Sequence, residues 1–228
     1  MRTQIVYEDR DILICHKPAG LATQSATVSQ PDLVSELKNY LAGGYVGIVH
    51  RLDQPVEGLL VFARNPKAAA VLSRQLAEGV LRKRYCALVL GCPSGESGEM
   101  VDYLRKEGGL SRVVPEGTPE AKRAVLRYWI RETRPTYGTL SQSGSGAENH
   151  TCLDICIDTG RFHQIRCQLA NGGMPILGDR KYGTAESLEE SRLLGIRQIA
   201  LCACEIRLLH PVSGREICHE ITPDWINF

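Results

Sequence analysis

Short apolar runs, cut every few residues by glycine, proline or a cluster of charges, recur along this chain from end to end. Runs of that length suit half-buried strands better than long helices. ILIC at 12–15, VGIV at 46–49, GLLVFA at 58–63, YCALVLG at 85–91, AVLRYWI at 124–130, TCLDICI at 151–157 and IALCACEIRLL at 199–209 all read this way. Within 151–157, Leu153, Ile155 and Ile157 share one face and Cys152, Asp154 and Cys156 the other, as strand alternation requires. Helical spacing is rarer. It occurs over 31–41, with Leu33, Val34, Leu37 and Leu41, and over 66–78, where Asn65 is placed to cap and Pro66 to open a helix that Gly79 stops. A short helix is expected over about 162–170, closed by Asn171-Gly172-Gly173, and a weaker one within 185–197. The tail forms two strands joined by the Pro211–Gly214 turn. Residues 92–120, rich in Gly, Pro, Ser and Glu, read as surface excursions, and SQSGSGAENH at 141–150 as a hairpin tip or loop. The order predicts an α+β fold, a mostly antiparallel mixed central sheet with helices packed against it.

Composition limits the function classes. Lys and Arg number 27 against 26 Asp and Glu, a net charge of +1, so a basic tail protein is excluded. A local basic stripe is still allowed, because acids elsewhere can balance it. No apolar run approaches the roughly eighteen residues of a membrane span, and Glu8-Asp9-Arg10-Asp11 interrupts any signal-peptide core. A cytoplasmic protein is expected. Its nine cysteines then read as reduced thiols, with Cys202, Cys204 and Cys218 in or near the core. Cys202, Cys204, His210, Cys218 and His219 lack the spacing of a zinc site, so no metal is expected.

Three polar groups stand where an apolar strand ends or begins. His50-Arg51-Leu52-Asp53 follows VGIV; a carboxylate on a rigid strand end suits catalysis, and equally suits a turn aspartate that caps backbone amides. Arg161, His163, Gln164 and Arg166 open the short helix. Such a group fits an anion at a helix start, or a solvated basic face. Lys83-Arg84-Tyr85 opens the strand at 85, where the tyrosine ring can stack on a base or fill the sheet core. Basic residues also gather at 64–84 and 122–134.

VHRLDQPVEGLLVFA and GRFHQIRCQLANGGMPILGDRKYG, with ILICHKPAGL before them, LRKRYCALVLG between and LLHPVSG after, resemble in order and spacing the motifs of the RluA-type RNA pseudouridine synthases. The resemblance spans residues 5–222. It implies the pseudouridine synthase fold with an active-site and RNA-binding cleft, a single catalytic domain over 1–228 built of two subdomain halves, and isomerisation of uridine to pseudouridine in ribosomal or transfer RNA without cofactor or metal. By the same resemblance Asp53 is the catalytic aspartate, Arg166 pairs with it, and Tyr85 stacks on the target base. Arg51 helps fill the gap left by a flipped nucleotide. His50, Lys83, Arg84, Arg161, His163 and Gln164 are the expected substrate-contacting and supporting residues. No S4-like RNA-binding module is expected before the domain, and the chain is expected to be a monomer with RNA as its partner. The pattern departs from the family at Val56-Glu57, Phe162, Gln168 and Cys202, positions that bear on substrate choice. Two other readings stand beside this one. One is a catalytically silent RNA-binding or chaperone module on the same fold. The other is a base-specific glycoside hydrolase, which usually needs a second positioned carboxylate.

Overall fold

The computed structural model describes residues 2–25, 30–136 and 149–227. The expected tip at 141–148 lies outside them. In chain order the elements are β1 (Gln4–Glu8), β2 (Ile12–Lys17), α1 (Leu33–Tyr40), β3 (Gly47–Ile48), β4 (Glu57–Ala63), α2 (Pro66–Ala77), β5 (Arg82–Leu90), β6 (Ser97–Glu107), β7 (Leu110–Val114), β8 (Lys122–Pro135), β9 (Asn149–Ile157), α3 (Gln164–Asn171), α4 (Ala185–Leu193), β10 (Leu201–Leu209) and β11 (Glu216–Glu220), with a final 3-10 turn at Asp224–Asn227. No helix among the described residues is long and apolar enough to cross a membrane. The chain divides into two compact units, Met1–Lys83 with Cys202–Thr222, and Arg84–Leu201 with Pro223–Phe228.

In the first unit β2 is antiparallel to both β1 and β4, β3 pairs the far end of β4, and β10 pairs β11. The β10–β4 contact, Cys202 to Glu57 and Ala203 to Gly58, is parallel, so the expected mixed pattern is present. Ile12, Ile14, Leu59, Val61 and Ala63 pack with Ala68 and Leu72 of α2 and with Ile206 and Leu208. At about 1.5–3 kcal/mol per fully buried aliphatic side chain, this layer is the main anchor of α2. Asn65 caps α2 by accepting the Ala68 N–H, with Pro66 in its first turn. Asp32 caps α1 through the Ser35 N–H, so α1 starts just after the residues the spacing suggested.

Gly58 holds β4 against β10. Its φ is +137°, and a Cβ there would lie 2.5 Å from the backbone nitrogen of Ala203. Strain and collision add, so Gly58→Ala should cost about 3 kcal/mol or more. Urea unfolding checks this; a midpoint equal to wild type would contradict the packing described.

The second unit is an antiparallel sheet in the order β5-β9-β8-β6-β7. The strands β6 and β7 correct the reading of 92–120 as excursions. The pair turns at Gly108-Gly109 and is half exposed. It therefore needs few apolar residues, and cross-strand charges such as Arg112 to Glu107 at 2.8 Å take their place. α3 packs on β6, β7 and β8, and Thr184 and Ser187 form a reciprocal cap on α4.

The cysteines are free thiols. Burial pushes Cys15 and Cys152 up to about 12 and Cys167 up to about 11. Cys218 differs from the core placement expected of it: it sits on the exposed strand β11. Cys92 is exposed too. Under native conditions iodoacetamide should label Cys92 and Cys218 rapidly and the buried thiols only on unfolding, because reactivity needs an accessible thiolate. Rapid labelling of Cys15 or Cys202 would contradict that burial.

Candidate active site

In the first unit, the chain leaves β3, runs through His50-Arg51-Leu52-Asp53 and turns into β4. The turn is closed by the Val56 N–H donating to the Asp53 carbonyl at 3.1 Å. Leu52 and Val56 are buried, Arg51 is exposed and Asp53 is half-buried. The apolar residues anchor the loop, which leaves Arg51 and Asp53 nearer solvent.

Two further segments brace this loop. The Thr23 hydroxyl donates to the Leu52 carbonyl at 2.9 Å and accepts the Leu52 N–H at 3.2 Å. The Gln54 carbonyl accepts from the Gly20 N–H at 2.9 Å and from Lys17 Nζ at 3.1 Å. Lys17 is fully buried and also donates to the carbonyls of Leu21 at 2.7 Å and Pro18 at 3.1 Å. Burial lowers its pKa to about 8, against the opposing pull of the negative charges of Asp53 and Glu57. The buried ammonium thus ties the Gly20 turn to the Asp53 loop. Sequence reading missed Lys17, treating it as the end of a strand. The available signal was a lysine one histidine after ILIC and directly before Pro-Ala-Gly, at the end of a buried run.

His50 is not a surface contact. It is buried, its Nε2 lies 3.4 Å from the Val61 N–H, and burial, with the nearby Lys83 charge, holds its pKa well below the usual histidine value. It is a neutral support of β4. Asp9, Asp11 and His210 bring ligand-type atoms together, yet His210 Nε2 meets Asp9 at 2.8 Å and its Nδ1 accepts the Val212 and Ser213 N–H groups. Both ring nitrogens are committed to clamping two turns.

In the second unit Tyr85 is buried on β5, opposite Ile155 of β9, which is opposite Tyr128 of β8. Arg84 points to the other face of the sheet. There it pairs with Asp154 at 2.8 Å, and Arg131 pairs with the same carboxylate at 2.7 Å. Burial alone would raise Asp154, but hydrogen bonds from Arg131 and Arg84, and their charges, hold it below the usual carboxylate value. Arg127 pairs with Glu99 and Asp158, and Arg134 with Glu132. Much of the basic run at 122–134 is therefore matched by acids on neighbouring strands.

The start of α3 is built from side chains rather than from a free anion-binding end. Gln164 is buried; its Oε1 accepts from the Thr159 hydroxyl at 2.7 Å and the Arg161 N–H at 3.1 Å, and its Nε2 donates to the Val125 carbonyl at 3.0 Å. His163 is buried with φ at +52°, and its Nδ1 shares a 2.9 Å hydrogen bond with the Tyr182 hydroxyl. Arg161 donates to the Arg123 carbonyl at 3.0 Å. Gln164 and His163 thus shape the turn from within, where the sequence pattern suggested a basic face.

Arg166 is buried, and its Nε and Nη2 donate to the two carboxylate oxygens of Asp179 at 2.8 and 2.7 Å. Asp179 also accepts the Lys181 and Tyr182 N–H groups, and the Tyr182 ring lies 5.2 Å from the guanidinium carbon. Sequence reading paired Arg166 with Asp53 and did not single out Asp179 or Tyr182. Both lie in GDRKYG, where a carboxylate directly after a glycine was the available signal.

A model of the RNA pseudouridylate synthase family matches residues 11–171, the stretch that holds Asp53, Tyr85 and Arg166. The chain is 31% identical over 225 residues to ribosomal large subunit pseudouridine synthase D of Zymomonas mobilis, covering 94% of this chain and 67% of the relative. It is 33% identical over 226 residues to the protein of the same name from Xanthomonas campestris, covering 93% of this chain and 63% of the relative. The chain therefore spans about two thirds of the length of these relatives. Its fold is similar to that of human RNA pseudouridylate synthase domain containing 1, with a TM-score of 0.72 at 22% identity over 97% of this chain and 83% of the other. The chain belongs to the RNA pseudouridylate synthase family.

Proposed function

We propose that this chain isomerises uridine to pseudouridine in ribosomal RNA of the large subunit, as a monomer and without metal or cofactor. Asp53 is the catalytic carboxylate in this reading, with Tyr85 against the target base and Arg166 serving Asp53. The observation that carries it is the Asp53 loop. A half-buried carboxylate sits on a turn tied down by Lys17, Thr23 and Gly20, which is the preorganisation a nucleophilic or charge-stabilising aspartate needs. The names of the relatives support large-subunit RNA over transfer RNA. The target uridine must leave its stack before the glycosidic bond breaks, and Arg51, exposed beside Asp53, is suited to hold the space it vacates.

Pseudouridine mapping in ribosomal and transfer RNA, from cells with and without the gene, tests the target. Loss of a discrete site in large-subunit RNA is expected, with restoration by the wild-type gene. Loss confined to transfer RNA would overturn the target, and an unchanged map in both would overturn the activity.

A further inference from the structure

Phe162 is an exposed aromatic ring fixed in place by its neighbours. It is 40% exposed. Its ring stacks on the imidazole of His163, with centroids 3.8 Å apart and planes 20° from parallel. That imidazole cannot drift: His163 is buried, bonded to the Tyr182 hydroxyl, and set edge-on to the Tyr182 ring at 5.6 Å and 85°. The Phe162 carbonyl accepts from the Ser111 hydroxyl, which pins the backbone to β7. Over the ring stands the ammonium of the exposed Lys106, 4.8 Å from the centroid. Arg112, also exposed, lies on the adjoining hairpin, and Arg161 immediately precedes the ring.

One face of the ring rests on a fixed imidazole, and the ammonium of an exposed lysine stands over the ring. That is the layout of a stacking platform. An incoming base displaces the ammonium from the ring, and the ammonium turns to the phosphate that arrives with the base. The ring is already ordered, so stacking costs little conformational entropy.

We infer that Phe162 is a specificity-determining residue that stacks on an unpaired base of the substrate RNA, other than the isomerised uridine, with Lys106 moving from the ring to the RNA backbone. This rests on the proposed RNA isomerase activity. The phenylalanine is also one of the places where this chain departs from the family motif it resembles.

The test is steady-state tritium release from a 5-tritiated RNA fragment that the wild-type enzyme modifies. It compares wild type, Phe162→Leu and Phe162→Trp, with thermal unfolding of each. Stacking on an aromatic ring is worth about 1–3 kcal/mol per base, so Leu should raise KM on the order of tenfold with kcat within about twofold. Trp should restore the wild-type KM. If Leu leaves KM unchanged, or lowers kcat and the unfolding midpoint together with no rescue by Trp, the ring is structural and the inference falls. A second arm needs no turnover. RNA carrying 5-iodouridine beside the target should photocrosslink to residue 162 in the wild type, and crosslinks that all map elsewhere would overturn the stacking. Absence of pseudouridine formation by wild type on every RNA would defeat the proposed activity instead, and the crosslink would still decide whether Phe162 meets a base.

Discussion

Asp53→Asn should lower the rate of pseudouridine formation by about a thousandfold or more while leaving the fold in place. Removal of a reacting side chain typically costs that much or more. Asparagine keeps the shape of the side chain, and the Asp53 backbone carbonyl still accepts the Val56 N–H. The brace on the loop uses the backbone of Leu52 and Gln54 and the side chains of Thr23 and Lys17, none of which is altered. The change removes the charge and one nucleophilic oxygen. A subtler result accompanies it. The Asp53 charge supports the protonated form of Lys17, so the lysine pKa should move further down in the variant. Circular dichroism and thermal unfolding should match wild type closely, and single-turnover tritium release should not. Normal turnover by Asp53→Asn would remove Asp53 from the chemistry.

The second large effect lies at Arg166 and is expected first in stability. Arg166 and Asp179 are both buried and joined by two charge-assisted hydrogen bonds. Breaking such a pair from one side leaves the other charge unmatched in the interior, at a cost of about 3–5 kcal/mol. Asp179→Asn and Arg166→Met should each lose that much in urea unfolding. Arg166→Lys keeps the charge but not the planar fork. It should keep more stability and still lose at least about tenfold in turnover, because a small misplacement of reacting groups is costly. Measuring single-turnover rates at temperatures where each variant is fully folded separates the two effects. Wild-type stability in Arg166→Met would mean that the pair with Asp179 does not hold α3, and wild-type turnover in Arg166→Lys would mean that orientation by the fork is not needed.

What could be read before the structure was known follows from how local each signal is. Asn65 and Pro66 announce α2 because a cap acts within one turn. β2 and β4 are legible because both bury continuous apolar runs. The β6–β7 hairpin was hidden because its strands are half exposed and stabilised across the ladder by charges such as Arg112 and Glu107, although Gly108-Gly109 between alternating residues was a usable hairpin signal. The Asp53 loop stood out through the motif it resembles. Its support did not: Lys17 reaches a carbonyl 37 residues away in the chain, and no local pattern encodes that. The Arg166–Asp179 pair was not legible for the same reason, since Asp179 lies 13 residues on. His50, His163 and Gln164 were expected among the contacting and supporting residues. The structure buries them, with bonds to Val61, Tyr182 and Val125. Phe162 shows the converse, a lone apolar residue in a polar motif that turns out to stand at the surface.

The proposed action of the braced Asp53 loop on large-subunit RNA can be tested on the RNA itself. Its most direct test is to incubate the purified wild-type protein with ribosomal RNA from cells lacking the gene and to measure pseudouridine by nucleoside mass spectrometry and site mapping. The account predicts a rise confined to one or a few defined uridines of the large-subunit RNA, absent when Asp53→Asn replaces wild type. Folded wild-type protein that yields no new pseudouridine, or an equal rise with Asp53→Asn, would contradict it.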